Sequence, residues 1–150
     1  MKGNFVGRLE VQYIDGILWR VSQSPPPDTF GFSLDDGRFI SPPEGMVTDF
    51  ASIPKPLWEI FPPTGDGPKA RYGLSAVIHD YLYQTGQIDG VPIARRYADA
   101  IFYAANLSLG IPRWLALTLD WGLLVGGGPA WDNYRRRQAI TTTRRMQNAT

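Results

Sequence analysis

The sequence predicts an α+β fold, in which a small N-terminal antiparallel sheet packs against a C-terminal cluster of three to four helices. Residues 5–48 alternate apolar and polar side chains between tight-turn dipeptides, a pattern typical of short antiparallel strands. Residues 54–146 carry longer apolar patterns with helical spacing. Strands followed by helices are typical of an α+β protein. The length of 150 residues and the 43% hydrophobic content predict a single domain over residues 1–150.

Two hairpins are predicted in the strand region. Leu9, Val11 and Tyr13 alternate with polar residues, so we expect these three side chains on the buried face of one strand. Asp15–Gly16 follows and is a common dipeptide of tight hairpin turns. Asp36–Gly37 stands in the same position within "FGFSLDDGRFI" and predicts a second hairpin.

The remainder predicts helices separated by proline and glycine. The predicted segments are a short turn at 54–61, a loop at "TGDGPKA", and helices at 72–84, 91–110, 111–128 and 129–146. Gly86 and Gly110 follow the first two long helices as expected stops, and Pro92 stands early in the second. The glycines at 126–128 are predicted to end the third.

The most apolar run, "WLALTLDWGLLVGGG", is predicted to be a buried helix. It is shorter than the roughly 20 residues that cross a bilayer, and it carries Asp120 in its middle. No membrane span is therefore expected. Trp114 and Trp121 are interpreted as core residues of this helix, whereas Trp58 and Trp131, beside proline and glycine, are candidates for an interface.

His79 is the only histidine, and its place on the predicted 72–84 helix decides what it can do. It lies in one column with Ser75 and Tyr83, one turn before and after it. Asp80 points about 100° away from His79, so these neighbours make a poor catalytic pair. A carboxylate that orients His79 must come from another segment. The expected core face is formed by Leu74, Val77, Ile78, Tyr81 and Leu82.

Two carboxylates, Asp49 and Asp99, are candidates for orienting His79. Asp99 falls on the polar side of the second long helix, near Arg95 and Asn106. A surface ion pair between Arg95 and Asp99, contributing a few tenths of a kcal/mol, is an equally simple account of that aspartate.

Asp49 and Ser52 have a structural and a catalytic interpretation. Aspartate and serine directly before a helix supply oxygens to its first backbone amides. Alternatively, Ser52 is a nucleophile, His79 its base, and Asp49 or Asp99 the group that orients the imidazole. The chain lacks a Gly-x-Ser-x-Gly elbow, which leaves both interpretations open.

The composition excludes several chemistries. The chain contains no cysteine, so it has no thiolate nucleophile, disulfide or cysteine-bound zinc. One histidine cannot build a metal centre that needs several, although one histidine with carboxylates could still bind a divalent ion. We predict no cofactor and no metal.

The net charge of +1 predicts no general attraction to nucleic acid. Five arginines near the C-terminus, at 135–137 and 144–145, are a local exception. They are interpreted as a solvated helix end, or else as a contact with a phosphate or an acidic partner. The N-terminus lacks the apolar core of a signal peptide.

Three stretches together resemble a known family. "GMVTDFASIPKPLW", "AVIHDYLY" and "RRYADAIF" are similar to a bacteriophage and prophage family, domain of unknown function 1353. The similarity runs from about Gly45 to Tyr103 and more loosely to Trp131. The resemblance implies a phage gene product and supplies no activity. Its pattern falls on Asp49, Ser52, Pro54, His79, Asp80, Tyr83 and Asp99.

Two functional hypotheses follow. In the first, the chain is a virion-associated or assembly protein, such as a tail or head accessory component, and its His-Asp-Ser cluster is structural. It would bind other phage structural proteins and occur in the virion or in the cytoplasm of the infected bacterium. In the second, it is a small phage hydrolase with His79 as general base, Asp49 or Asp99 as orienting group, and Ser52 or a water as nucleophile. Asp80 and Tyr83 complete the candidate cluster in either case.

Overall fold

The N-terminal third forms two small antiparallel sheets. The computed structural model describes residues 1–50 and 72–148, and residue 148 by its backbone only. One sheet has the order β1-β4-β5 and the other β2-β3-β6. The strands are β1 Gly3–Val6, β2 Glu10–Asp15, β3 Leu18–Ser22, β4 Gly31–Leu34, β5 Phe39–Ile40 and β6 Val47–Thr48.

Both predicted hairpins are present. β2 pairs with β3 around Asp15–Gly16, and β4 pairs with β5 around Asp36–Gly37. The prediction of one sheet over 5–48 was wrong, because the strands divide between two sheets and β1 begins before residue 5. The predicted burial of Tyr13 was also wrong, since its side chain is 60% exposed and stacks edge-on against Trp19.

Three helices follow among the described residues, which confirms the α+β class. They are α1 Tyr72–Thr85, α2 Arg95–Ser108 and α3 Arg113–Asn148. A two-stranded hairpin of β7 Gln87–Ile88 and β8 Val91–Pro92 separates α1 from α2. Pro92 therefore belongs to a strand, and α2 begins four residues later than the sequence indicated. Gly86, with φ +65°, and Gly110, with φ +78°, follow α1 and α2 in the left-handed conformation expected of helix stops.

The prediction that the three glycines end a helix was wrong. α3 is 36 residues long, and it continues through these glycines and through Pro129. A glycine costs a helix only about 1 kcal/mol relative to alanine, so packing can hold it helical. At Gly127 the missing side chain makes room for Tyr83 and Arg95 of the neighbouring helices. The predicted helices 111–128 and 129–146 are thus one element.

The burial of the tryptophans on α3 is the reverse of the prediction. Trp114 and Trp121 were interpreted as core residues, but they are 69% and 64% exposed. Trp131, interpreted as an interface candidate, is half-buried and packs edge-on against Tyr83. α3 rests on α2 and α1 with the side that carries Leu115, Ala116 and Gly127, which turns both N-terminal tryptophans outward.

The core lies between the two sheets and α1. Phe30, Phe32 and Phe50 from the strand region are fully buried, as are Val77 and Ile78 on α1. α1 is covered on nearly all sides, with nine of its residues buried, because α2 and α3 pack against the side that faces away from the sheets. This second covered side carries Ser75, His79 and Tyr83.

Some predictions fall outside the described residues. These are the short turn at 54–61, the "TGDGPKA" loop, Ser52, Pro54 and Trp58. Among the helices that are described, none has the length and hydropathy needed to cross a membrane.

Candidate functional site

A row of buried polar side chains joins α1 to α2. On α1 the polar positions recur every four residues and therefore lie on one face. Ser75 meets α2 near its end and Tyr83 meets it near its beginning, so the two helices run antiparallel. We call this row the α1–α2 seam; its members are Ser75, His79 and Tyr83 on α1 and Asp99 and Asn106 on α2.

Asp99 is the centre of the seam. Its Oδ1 lies 3.1 Å from His79 Nε2 and accepts a hydrogen bond of 2.7 Å from the Tyr83 hydroxyl. Further along both helices, the Ser75 hydroxyl donates to Asn106 Oδ1 at 2.6 Å. All five residues are buried, and His79 is only 1% exposed. The seam is therefore a set of direct side-chain bonds shielded from water.

The electrostatics assign the protons. Burial opposes ionisation of Asp99, but hydrogen bonds from His79 and Tyr83 outweigh it and hold the pKa of this carboxyl below its ordinary value of 3.8. Burial lowers the pKa of His79 below its ordinary 6.5, although Asp99 acts in the opposite direction. Burial and the bond to Asp99 raise the pKa of Tyr83. At neutral pH the seam thus holds an ionised Asp99, a neutral imidazole and a neutral phenol. Nε2 of His79 carries the proton, because a carboxylate can only accept.

This proton assignment predicts acid sensitivity. Below pH 6.5 His79 becomes protonated in the unfolded chain but stays neutral in the folded chain, so the unfolded state binds more protons. The free energy of unfolding therefore decreases as the pH is lowered. The slope has an upper limit of about 1.4 kcal/mol per pH unit. Below 3.8, protonation of Asp99 in the unfolded chain adds to the loss.

Urea unfolding at several pH values between about 3 and 8 would measure this slope and the additional loss at lower pH. Since His79 is the only histidine, the His79→Gln variant should lose the slope between pH 6.5 and 5 while keeping the steeper loss at lower pH. A wild-type slope that is absent, or that persists in the variant, would contradict the assignment.

Asp99 is linked to the surface through Arg96. Its Oδ2 accepts no hydrogen bond within the described residues and lies 3.6 Å from Arg96 Nη1. The same guanidinium stands 3.9 Å from Asp120 on α3. The simple alternative of an Arg95–Asp99 surface pair was wrong, because Arg95 donates instead to the carbonyl of Leu123. The pairing cation is one residue later, and the carboxylate is buried.

Aromatic rings enclose the imidazole. The His79 ring lies 4.2 Å from that of Tyr83 and 4.9 Å from that of Phe102, measured between centroids. Tyr83 in turn packs edge-on against Trp131 at 5.2 Å. α3 closes this side at Gly127, where a Cβ would stand 2.5 Å from the Tyr83 hydroxyl oxygen.

Two adjacent glycines of α3 give a matched test of this closure. Gly127→Ala should destabilise the fold by about 1–2 kcal/mol, since the new methyl group must push Tyr83 away from Asp99. Gly126→Ala should stabilise it by up to about 1 kcal/mol, because no atom of the described residues lies within 4 Å of its Cβ position and alanine favours helix. Chemical unfolding of the two variants measures the difference, and equal effects would contradict close packing at Gly127.

A second polar contact ties the sheets to α1. The Thr48 hydroxyl donates to Asp80 Oδ2 and accepts from the Phe50 amide at 3.2 Å. Thr48 is 1% exposed and Asp80 9% exposed. Burial, with the negative charges of Asp80 and Asp49, raises the pKa of Tyr134, which places both carboxylates near that α3 side chain.

Within the described residues, the hydrogen bonds of the candidate side chains given above fall into two groups. Of the two candidate carboxylates, Asp99 bonds to His79, whereas Asp49 stands with Asp80 near Tyr134. The seam lies between α1 and α2, and the Thr48–Asp80 contact lies between β6 and α1. The expectation of a single polar cluster that includes Ser52 stays a prediction. Asp80 does point away from His79, as helical geometry predicted. Ser52 lies outside the described residues.

Two contributions were missed by sequence reasoning. Thr48 precedes the noticed Asp49, and a hydroxyl beside a turn gives no signal of a distant carboxylate partner. Arg135 was grouped with a solvated basic end, but its Nη2 donates to the carbonyls of Tyr83 and Gln84 at 2.6 and 3.0 Å. It satisfies the C-terminal carbonyls of α1. Arg136 and Arg137 are exposed, as that interpretation expected.

A pocket of about 560 Å³ lies elsewhere in the fold. It is lined by residues 1–4 and 33–35 together with Ala104, Leu107 and Ser108. None of these belongs to the seam or to the Thr48–Asp80 contact. In the described parts of the chain, no group of three histidine or acidic side chains is arranged to hold a metal ion.

The fold and the seam define a small α+β protein with a buried histidine–carboxylate–tyrosine cluster. The sequence model of a family described as "Protein of unknown function (DUF1353)" matches residues 28–122, more than half of the chain. The protein belongs to this family. No curated protein and no solved structure matches it.

Proposed function

We propose that this protein is a phage-encoded virion-associated or assembly protein, a tail or head accessory component, in which the α1–α2 seam is a structural lock. It would act through its surfaces, by binding other phage structural proteins, in the virion or in the cytoplasm of the infected bacterium. The observation that carries the proposal is the burial of His79, whose side chain is 2% exposed and bonded to a fully buried Asp99.

The burial argues against chemistry at the seam. A general base must come within hydrogen-bond reach of a substrate proton, directly or through one water. Here Nε2–H of His79 is bonded to Asp99, which leaves Nδ1 as the basic atom of a ring that is only 1% exposed, with Tyr83 and Phe102 packed against it. Buried polar networks with few exposed atoms are costly unless bonded, and they specify one packing of their helices. The seam fits that role, since it sets the register of α1 against α2.

The surface supports a binding role. Trp114 and Trp121 are large apolar side chains left in solvent, and aromatic residues are common anchors of protein interfaces. The phage assignment itself rests on the resemblance of "TDFASIP", "HDYLY" and "RRYADAIF" to a phage and prophage family. Family membership is compatible with it and does not name a role.

A hydrolase is the alternative, and one observation favours it. A neutral imidazole whose Nε2–H bonds to a carboxylate has the arrangement of a histidine oriented for acid–base chemistry. In that case Ser52 or a water would be the nucleophile. The seam would then have to open to the substrate, which the surrounding rings oppose.

Particles made with Asp99→Asn separate the two functions. The amide keeps the shape and can still accept from Tyr83, but it no longer orients and stabilises an imidazolium, a change that costs orders of magnitude in histidine-dependent catalysis. A structural lock predicts that the folded variant supports normal infectivity at permissive temperature. It also predicts that the wild-type chain copurifies with particles or assembly intermediates.

Two outcomes would decide against the proposal. If phage lacking the gene produce complete particles, and the chain is absent from particles and intermediates, it is no assembly component. If Asp99→Asn protein is folded and incorporated yet infectivity is lost, the hydrolase gains. A thermal unfolding curve of the purified variant serves as the control for folding.

A further inference from the structure

The N-terminal half of α3 has an apolar face that the rest of the described chain leaves uncovered. At about 100° per residue, its side chains fall within an arc of about 100°. Val125 is 82% exposed and Trp114 69% exposed. The opposite side of the helix carries the buried Leu115 and Leu119 and rests on the body of the protein. We call the uncovered face the α3 stripe; it consists of Trp114, Leu117, Trp121, Leu124 and Val125.

The area of the α3 stripe lies within the range of functional apolar patches. Two tryptophans and three aliphatic side chains with these exposures present on the order of 500 Å² of apolar surface. The largest apolar patches of ordinary monomers reach about 300–600 Å² and are often functional. Since the helix is held by its other face, folding alone gives no reason for this composition.

We propose that a second copy of this chain covers the α3 stripe, with the two α3 helices antiparallel and crossing at Trp121. The stripe is complementary to itself in this arrangement. Crossing at Trp121 places Trp114 opposite the partner's Gly128, a large ring against a gap. None of the described residues lies within 4 Å of a Cβ at Gly128, so the ring has room. Leu117 then meets the partner's Val125.

Charge supports the same orientation. Arg113 and Asp132 are exposed at the two ends of the stripe. In the antiparallel arrangement Arg113 comes within about one helical turn, or 5.4 Å along the axis, of the partner's Asp132. A parallel arrangement would instead place each charge beside its own copy. Two stripes bury about 1,000 Å², the lower limit of specific interfaces, so we expect a concentration-dependent dimer.

A lipid surface is the other class of partner for an apolar helix face. Amphipathic membrane helices carry lysine and arginine on their polar face. The corresponding side of α3 is packed against α1 and α2, and Asp120 and Asp132 lie near the stripe. A second copy is therefore the better fit. This inference does not depend on whether the seam is structural or catalytic.

Sedimentation equilibrium of the full chain from about 5 to 200 µM tests the dimer, since this range brackets micromolar affinity. We expect the apparent mass to rise towards twice the monomer mass. Trp121→Glu should raise the dissociation constant at least tenfold. Tyr13→Glu, which replaces a similarly exposed aromatic ring, 60% against 64%, on β2, should leave it unchanged. A monomer at the highest concentration, including one that binds lipid vesicles instead, would overturn the proposal, as would a dimer that Trp121→Glu does not weaken.

The absence of cysteine allows a test of orientation by disulfide formation. Residues 117 and 125 are separated by eight positions, or about 12 Å along one helix, which is too far for an intrachain disulfide. The Leu117→Cys/Val125→Cys double variant should form a covalent dimer under mild oxidation, and neither single variant should. Efficient cross-linking of either single variant would overturn the antiparallel arrangement.

Discussion

Replacing Asp99 by alanine is expected to lower the free energy of unfolding by about 3–4 kcal/mol. The substitution removes the acceptor of both His79 Nε2 and the Tyr83 hydroxyl, two donors that stay buried. A buried donor left without a partner costs about 1–3 kcal/mol. Loss of the carboxylate also removes a buried charge, which offsets part of the damage. Urea unfolding followed by tryptophan fluorescence measures the change.

Two variants separate the contributions. Asp99→Asn keeps one carbonyl oxygen at the position of Oδ1, so we expect a loss of about 1–2 kcal/mol. Tyr83→Phe removes one donor without leaving a polar atom, and about 1 kcal/mol is expected. The Tyr83–Asp99 bond is lost in Asp99→Ala and also in Tyr83→Phe. The Tyr83→Phe/Asp99→Ala double variant should therefore lose about 1 kcal/mol less stability than the sum of the two single losses. Simple additivity would show that the bond contributes nothing.

The parts of the fold that follow from local chemistry were predicted well. Asp15–Gly16 and Asp36–Gly37 form turns because few other dipeptides adopt the required backbone. α1 runs from Tyr72 to Thr85, within a residue of its predicted end, because Gly86 stops it. These features depend on neighbours in the chain.

The errors concern residues whose environment is supplied by another element. Asp99 lies on the polar side of α2, and periodicity alone predicts that such a side faces water. α1 covers this polar side instead and places hydrogen-bonding side chains opposite its polar residues. Each of the two helices therefore has two buried sides. The three glycines of α3 suggested a stop, but Tyr83 packs at Gly127 and holds the helix there. Trp114 and Trp121 were predicted to be buried because an isolated sequence does not reveal which face of an apolar helix is covered.

The candidate site shows the same limit. Sequence geometry excluded Asp80 as the partner of His79 and left Asp49 and Asp99 as alternatives. The β7–β8 hairpin, which the sequence did not predict, reverses the chain and lays α2 antiparallel along α1. That reversal brings Asp99 opposite His79. Which carboxylate pairs with His79 therefore depended on a hairpin of two-residue strands, which are too short to be predicted from the sequence.

A large loss of stability, about 3 kcal/mol, is also expected for Gly86→Ala. Gly86 has φ +65°, and a Cβ there would stand 1.3 Å from Arg135 Nη1, an overlap that only displacement of the guanidinium can relieve. Arg135 would then release the Tyr83 and Gln84 carbonyls at the end of α1 and its position 4.7 Å above the Trp131 ring. Thermal or urea unfolding measures the loss.

Matched variants distinguish this contact from backbone strain. Gly90→Ala imposes similar strain, at φ +78°, and in the described part of the chain nothing lies within 4 Å of its Cβ position. The excess loss in Gly86→Ala therefore reports the displaced arginine. Arg135→Ala should cost about 2 kcal/mol, whereas Arg136→Ala, on the exposed side, should stay within about 0.5 kcal/mol. Since Gly86→Ala already expels the guanidinium, adding Arg135→Ala to it should cost little more. A fully additive double variant would mean that Arg135 stays in place and that strain alone accounts for the loss.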